Sequence, residues 1–135
     1  MGWKTFAFGG LVLVAAAAAA VVVPRVPGYW LASDAEVKRA VQALYTQTAG
    51  LRKAIGGELL YAKQIEPDSS DRSDPDYGAY HVRISETGTI VVRSRKYDVV
   101  LVFRPLPGGE KAVPWRCRVS PARYVVEGCE PGGND

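Results

Sequence analysis

Two thiols open the chemistry of this chain. Both cysteines lie in one stretch near the end, "VPWRCRVSPARYVVEGC", as Cys117 and Cys129. A pair like this can exchange electrons, bind a metal or close a disulfide. Redox exchange favours Cys-x-x-Cys, which is absent. A tetrahedral metal set cannot be completed from two Cys and the single imidazole, His81, without distant carboxylates. That leaves a disulfide, or two unconnected buried thiols as the alternative. In an exported chain the disulfide is the default, and a loop this short would constrain the unfolded state by about 3 kcal/mol.

Other reactive groups are sparse. His81 falls on an alternating strand pattern, where a surface or half-buried role is the rule. No Ser or Cys nucleophile has an evident base beside it, and no Gly-rich loop could cradle a phosphate. Asp68, Asp71, Asp74 and Asp76 lie in "EPDSSDRSDPDYG", and their oxygens would suit calcium. Their spacing does not fit an EF-hand, so this stretch is expected to be a solvated loop. The expectation is therefore no enzyme: no catalytic residue, no cofactor and no metal.

Positive charge is the remaining signal. From position 88 to 123 the bases are Arg93, Arg95, Lys96, Arg104, Lys111, Arg116, Arg118 and Arg123, against Asp98 and Glu110. The whole chain is only +3. On strands, Arg93 and Arg95 share a face, as do Arg116 and Arg118. If those strands are close, a basic stripe forms on the outer sheet face and could contact DNA phosphates. A solvated face that keeps the sheet soluble is the plainer reading.

The elements that must position these groups can be read in order. The start, "MGWKTFAFGGLVLVAAAAAAVVVP", carries an uncharged run, Ala7 to Val23, at the short end of what spans a bilayer. It reads as a membrane helix or signal anchor over residues 1–24, with a cleaved secretory signal as the alternative. Lys4 and the α-amino group precede the run, weakly favouring a cytosolic N-terminus and an extracytoplasmic bulk. Residues 25–135, about 110 in number, suffice for one small domain.

Within that domain, 33–56 reads as an amphipathic helix. Ser33 and Glu36 make a capping box. Val37, Val41, Leu44, Thr48, Leu51 and Ile55 recur at three- and four-residue steps. Lys38, Arg39, Gln42, Arg52 and Lys53 lie largely off that stripe, and Gly56-Gly57 marks the end. Residues 57–78 follow as a loop. Residues 79–126 read as an antiparallel sheet of about four strands, "AYHVRI", "TIVVRSR", "YDVVLVFRP" and "AVPWRCRV", with "RYVVEG" as a short closing strand. The class is α+β, a helix packed on a sheet.

The cysteine end, "GGEKAVPWRC", "ARY" and "GCEP", resembles that of the type IV pilins, which carry a Trp-x-Cys strand after a Gly-rich turn and a last Cys near the terminus. The start is similar too. Pilins are cleaved after a Gly, and a cut after Gly2 would make Trp3 the first mature residue, with Pro24 and Tyr29 in the family's register. "AGLRKAI" is similar to the later part of the long pilin helix. The resemblance implies a minor pilin or a type II secretion pseudopilin. Such a protein packs its N-terminal helix in the membrane, meets other pilin-like subunits and presents its head. It would sit in the inner membrane with a periplasmic domain, or in a cell-surface filament. Where the family keeps a Glu, this chain has Ala7, which suits a subunit with no neighbour above it. An anchored or secreted periplasmic binding module that never enters a filament is the alternative.

Overall fold

A computed structural model describes residues 32–61 and 64–132. The membrane-helix segment 1–24, the processing position Gly2 and Ala7 lie outside them. Among the described residues no helix is long and apolar enough to cross a membrane.

The fold is α+β. Helix α1 spans Asp34–Gln47 and helix α2 Ala49–Tyr61. Strands β1 (Asp68–Asp74), β2 (Gly78–Ile84), β3 (Ile90–Ser94), β4 (Val100–Pro105), β5 (Trp115–Ser120) and β6 (Glu130–Pro131) form one sheet in sequence order. The first five pair antiparallel, and β6 runs parallel to β5.

Ser33 starts α1 as expected: its Oγ accepts from the Glu36 amide at 3.1 Å. Val37, Ala40, Val41, Leu44 and Ile55 are buried, and Leu51 is half-buried against the same core. At Thr48 the hydroxyl donates back to the Leu44 carbonyl at 2.8 Å. Such back-bonding competes with the helical ladder, and the helical run divides at Thr48 into α1 and α2 rather than running as the single helix expected.

The other face of the core belongs to the sheet. Tyr80, Val82, Ile84, Ile90, Val92, Leu101, Phe103, Cys117 and Val119 all point inward and are buried. Their neighbours along each strand point outward, so alternation holds across β2 to β5. Tyr97 and Val99 are buried as the pattern predicts. They precede β4 rather than belonging to it, because Asp98 takes a positive φ of 52° in the connecting turn. Asp tolerates that conformation better than most residues.

Four expectations need correction. The helix does not end at Gly56-Gly57 but continues to Tyr61. Each interior glycine costs about 1 kcal/mol relative to Ala, and packing overrides that cost. Leu59 and Ile55 lie against the β2–β3 turn, where a Cβ on Gly88 would sit 2.8 Å from Leu59 Cδ1. Gly88, read from the sequence as the hairpin glycine, has φ +86°.

The polar stretch within 57–78 is not wholly a loop. Asp68–Asp74 forms β1, paired along its length with β2 from Asp68↔Ile84 to Asp74↔Gly78. It is an edge strand, mostly exposed, and charged or polar residues there discourage pairing with other chains. The sheet consequently has six strands rather than about four. The segment read as a closing strand instead holds a 3-10 turn, Ala122–Tyr124, and the closing strand comes later, at Glu130–Pro131.

Cys117 and Cys129 are bonded, and no other cysteine exists. The bond joins β5 to the residue just before β6. The Gly132 amide donates to the Val119 carbonyl at 2.6 Å, just past the two-residue parallel ladder.

Candidate functional site

The outer sheet face is where the sequence-selected arginines meet. Arg93 is on β3, Arg95 follows it directly, and Arg116 and Arg118 are on β5. Both pairs face away from the helices, as alternation requires. Strand β4 separates them, so they stand roughly 10 Å apart across the sheet. The register fills the gap: Val91 opposes Val102, Arg93 opposes Val100, Val102 opposes Arg118, and Arg104 opposes Arg116. Val91, Val100 and Val102 are half-buried, giving an apolar seam with arginines on both sides.

The four arginines are not electrically equal. Glu130 Oε2 lies 3.0 Å from Arg116 Nε and 3.9 Å from Arg118 Nε, so one carboxylate serves two guanidiniums. Arg95 Nη2 is 2.8 Å from Asp71 Oδ1. Arg93 has no ion-pair partner among the described residues. The same holds for Arg83 and Arg104, which the sequence reading did not place on this face. Arg83 opposes Val91 on the outer row of β2. Its membership could have been read from "HVRI", since Arg83 alternates with the buried Val82 and Ile84. Arg104 directly opposes Arg116. Like charges opposite one another destabilise a strand pair. An anion over this face would relieve that repulsion.

At the β1 edge the sheet builds a second cluster. Ser69 Oγ lies 2.7 Å from His81 Nε2, and His81 Nδ1 lies 2.9 Å from Asp71 Oδ1. Asp71 opposes His81 in the ladder, and Ser69 is two residues along on the same face. The hydrogen bonds run in the order of an acyl-transfer nucleophile, its base and the orienting carboxylate. Chemistry also needs a recess that excludes water and donors for a developing oxyanion. Ser69 and Asp71 are exposed, and the recesses around α2, at Ile65–Asp68 and at Arg104 have other linings. The cluster therefore ties β1 to β2 and, through Arg95, to the residue just after β3 by polar contacts. It was hidden in the sequence because Ser69 and Asp71 fell in a supposed loop.

Two carboxylates are held below the ordinary range. For Asp71 the leading cause is the hydrogen bond from His81, then the charge of Arg95. For Asp74 it is the Tyr77 backbone amide, helped by Gln47 and the Asp76 amide. Asp74 Oδ1 accepts from the Asp76 and Tyr77 amides at 2.8 Å each, closing the β1–β2 turn, and Oδ2 accepts from Gln47 Nε2. A depressed folded-state pKa adds stability above the unfolded value, near 3.9, and that stability is lost as pH falls through the folded value. Thermal melts should therefore hold level from about pH 6 to 5 and decline below about pH 4. Asp74→Asn should flatten that decline; an unchanged acid limb would show that Asp74 contributes nothing to it.

Among the described residues no three His, Cys, Asp or Glu side chains gather to hold a metal. The four aspartates considered for calcium are dispersed: Asp71 turns outward to His81, and Asp74 closes a turn.

One residue departs from its expected position. Arg52, placed off the helix stripe, is only 9% exposed. Its Cζ lies 4.3 Å from the Phe103 ring centroid and 4.5 Å from that of Tyr45. Nη1 donates to Thr48 Oγ1 at 2.9 Å and Nη2 to the Tyr45 carbonyl at 3.0 Å. Burial lowers its pKa from the ordinary arginine value, and the coulombic effect of Tyr45 opposes that. No carboxylate lies within ion-pair distance among the described residues. A planar, weakly hydrated guanidinium can be buried in this way, stacked on rings, where an ammonium could not.

Comparison with protein families, with curated proteins and with solved structures finds no match.

Proposed function

We propose that this chain is a structural subunit of the pilin-like kind, a minor pilin or pseudopilin anchored by its N-terminal segment. The observation that carries the reading is a helix pair covering one face of an antiparallel sheet, with the C-terminal tail pinned to the last long strand by Cys117–Cys129. Among the described residues the helices cover one sheet face, and the arginine-bearing face is the other.

The test has two readouts. Mass spectrometry of the mature protein should find Trp3 at the start; an intact Met1, or a cut after the alanine run, would remove the processing argument. Electron microscopy of the protein overexpressed without other pilin-like subunits should show no fibres, since Ala7 supplies no charge to recruit a neighbour. Ala7→Glu alone should not create them. Abundant homopolymeric fibres would overturn this reading and point to a major subunit.

A second reading is favoured by one observation: among the described residues Arg83, Arg93 and Arg104 have no ion-pair partner around a valine seam. In it the anchored domain binds a polyanion such as DNA. Fluorescence anisotropy with labelled duplex DNA should then give an affinity that falls steeply with salt, because each neutralised phosphate releases counterions. Arg93→Glu with Arg104→Glu should weaken binding at least tenfold. Binding that survives both substitutions would remove the outer face from consideration.

A further inference from the structure

The buried Arg52 borders a recess that the roles above do not use. It is a cavity of about 250 Å³ between α2 and the chain leading into β5. Its lining includes Arg52, Lys53, Gly57, Lys111, Val113 and Trp115. Three of these are cations and none is a carboxylate. Among the described residues none of the three cations has an ion-pair partner. The rest of the wall is apolar, with an indole as its largest group.

The floor is equally telling. A Cβ on Gly57 would meet nothing within 4 Å. No packing demand of the fold therefore requires a bare backbone there, although a helix interior disfavours glycine. Its neighbour Gly56 faces the wall of the recess: a Cβ there would lie 3.5 Å from Val113 Cβ and 3.6 Å from Trp115 Nε1. An engineered apolar cavity of about 150 Å³ holds benzene, so a single ring with a substituent fits this space. Arg52 has N–H donors beyond the two engaged with Thr48 and Tyr45, and the exposed Lys53 and Lys111 add long-reaching charge.

We propose that this recess is a binding site for a small organic anion, a carboxylate carried on an aromatic or similarly flat apolar body. The ring lies against Trp115 beside the Gly56-Gly57 backbone, and the carboxylate turns to Arg52 and the lysines. This assignment stands apart from filament assembly and from the outer sheet face, which lies on the other side of the sheet from the helices.

The full chain, labelled with ¹⁵N and titrated with benzoate, supplies the test. The indole N–H signal of Trp115, assigned through Trp115→Phe, should shift and saturate. Benzyl alcohol, which keeps the ring without the charge, and acetate, which keeps the charge without the ring, should each bind at least tenfold more weakly. Lys111→Glu and Lys53→Glu should each weaken benzoate at least tenfold. Both variants should melt close to the parent, because Lys53 and Lys111 are exposed. A shift that never saturates, equal binding of benzoate and benzyl alcohol, or undiminished binding by both variants would overturn the proposal.

Discussion

Cys129→Ser should lower the unfolding free energy by about 2–5 kcal/mol and release the tail first. The segment after β5 holds itself poorly. Its buried side chain is Tyr124, with Val126 and Cys129 only partly covered. Its sheet contribution is a two-residue parallel ladder. The contact of Glu130 with Arg116 and Arg118 is solvent-exposed, and exposed pairs of this kind contribute little, about 0–1 kcal/mol. The disulfide is therefore the main restraint on these residues. It acts by shortening the unfolded ensemble across a sequence separation of 12. Cys129 is the better position to change, because it is half-buried whereas Cys117 is 4% exposed and a hydroxyl there would enter the core. Denaturant titration with and without reductant gives the loss. Hydrogen exchange should show the Cys129 and Gly132 amides, bonded to Val126 and Val119, losing protection before β2 to β4. If Cys129→Ser unfolds at the parent's midpoint with its tail still protected, packing of Tyr124 rather than the bond holds the tail.

The order of legibility follows from how each element is stabilised. Residues whose burial repeats at the helix or strand period were readable: Val37, Val41, Leu44 and Ile55 on the helices, and Leu101 with Phe103 on β4 are all buried. Elements held by backbone pairing were not. Strand β1 has no apolar residue, and only its ladder to β2 makes it a strand. The continuation of α2 past Gly56-Gly57 depends on Leu59 and Ile55 meeting Gly88, a contact distant in the chain. Arg52 looked like a solvent residue because charge argues for exposure. Its burial depends on Phe103 arriving from β4 beneath it, which no local window contains.

The site divides in the same way. Alternation was enough to put Arg93, Arg116 and Arg118 on one face. It could not show that Glu130 returns on β6 to compensate two of them, since the parallel pairing of β6 is set by the tail's path. Nor could it show that Asp71 reaches Arg95 and His81, because that needed β1 to be a strand. The charges left without an ion-pair partner among the described residues, Arg83, Arg93 and Arg104, are thus a property of the assembled sheet and not of the basic count in the sequence.

Phe103→Ala should cost about 3–5 kcal/mol, at the upper end for a single core truncation. Phe103 is fully buried and heads the largest such side chains. It stands on β4, between β3 and β5, so no edge lies nearby to collapse into the space left behind. The ring also meets Tyr45 at 5.9 Å between centroids, tilted by 46°, a geometry that adds to simple burial. Above all it supports Arg52. Without the ring, a guanidinium with no carboxylate within reach among the described residues faces a void, and water must enter or the side chain must swing out. Phe103→Leu keeps apolar volume but no π face, so it should cost less than Ala while still loosening Arg52. Arg52→Met separates the two effects: in a double-mutant cycle with Phe103→Leu, a coupling of about 0.5–2 kcal/mol is expected for a stacked, partly desolvated cation. Chemical denaturation of the four proteins supplies the cycle. Additive losses would mean that Arg52 rests on its bonds to Thr48 and Tyr45 alone, and that Phe103 serves the core only by filling it.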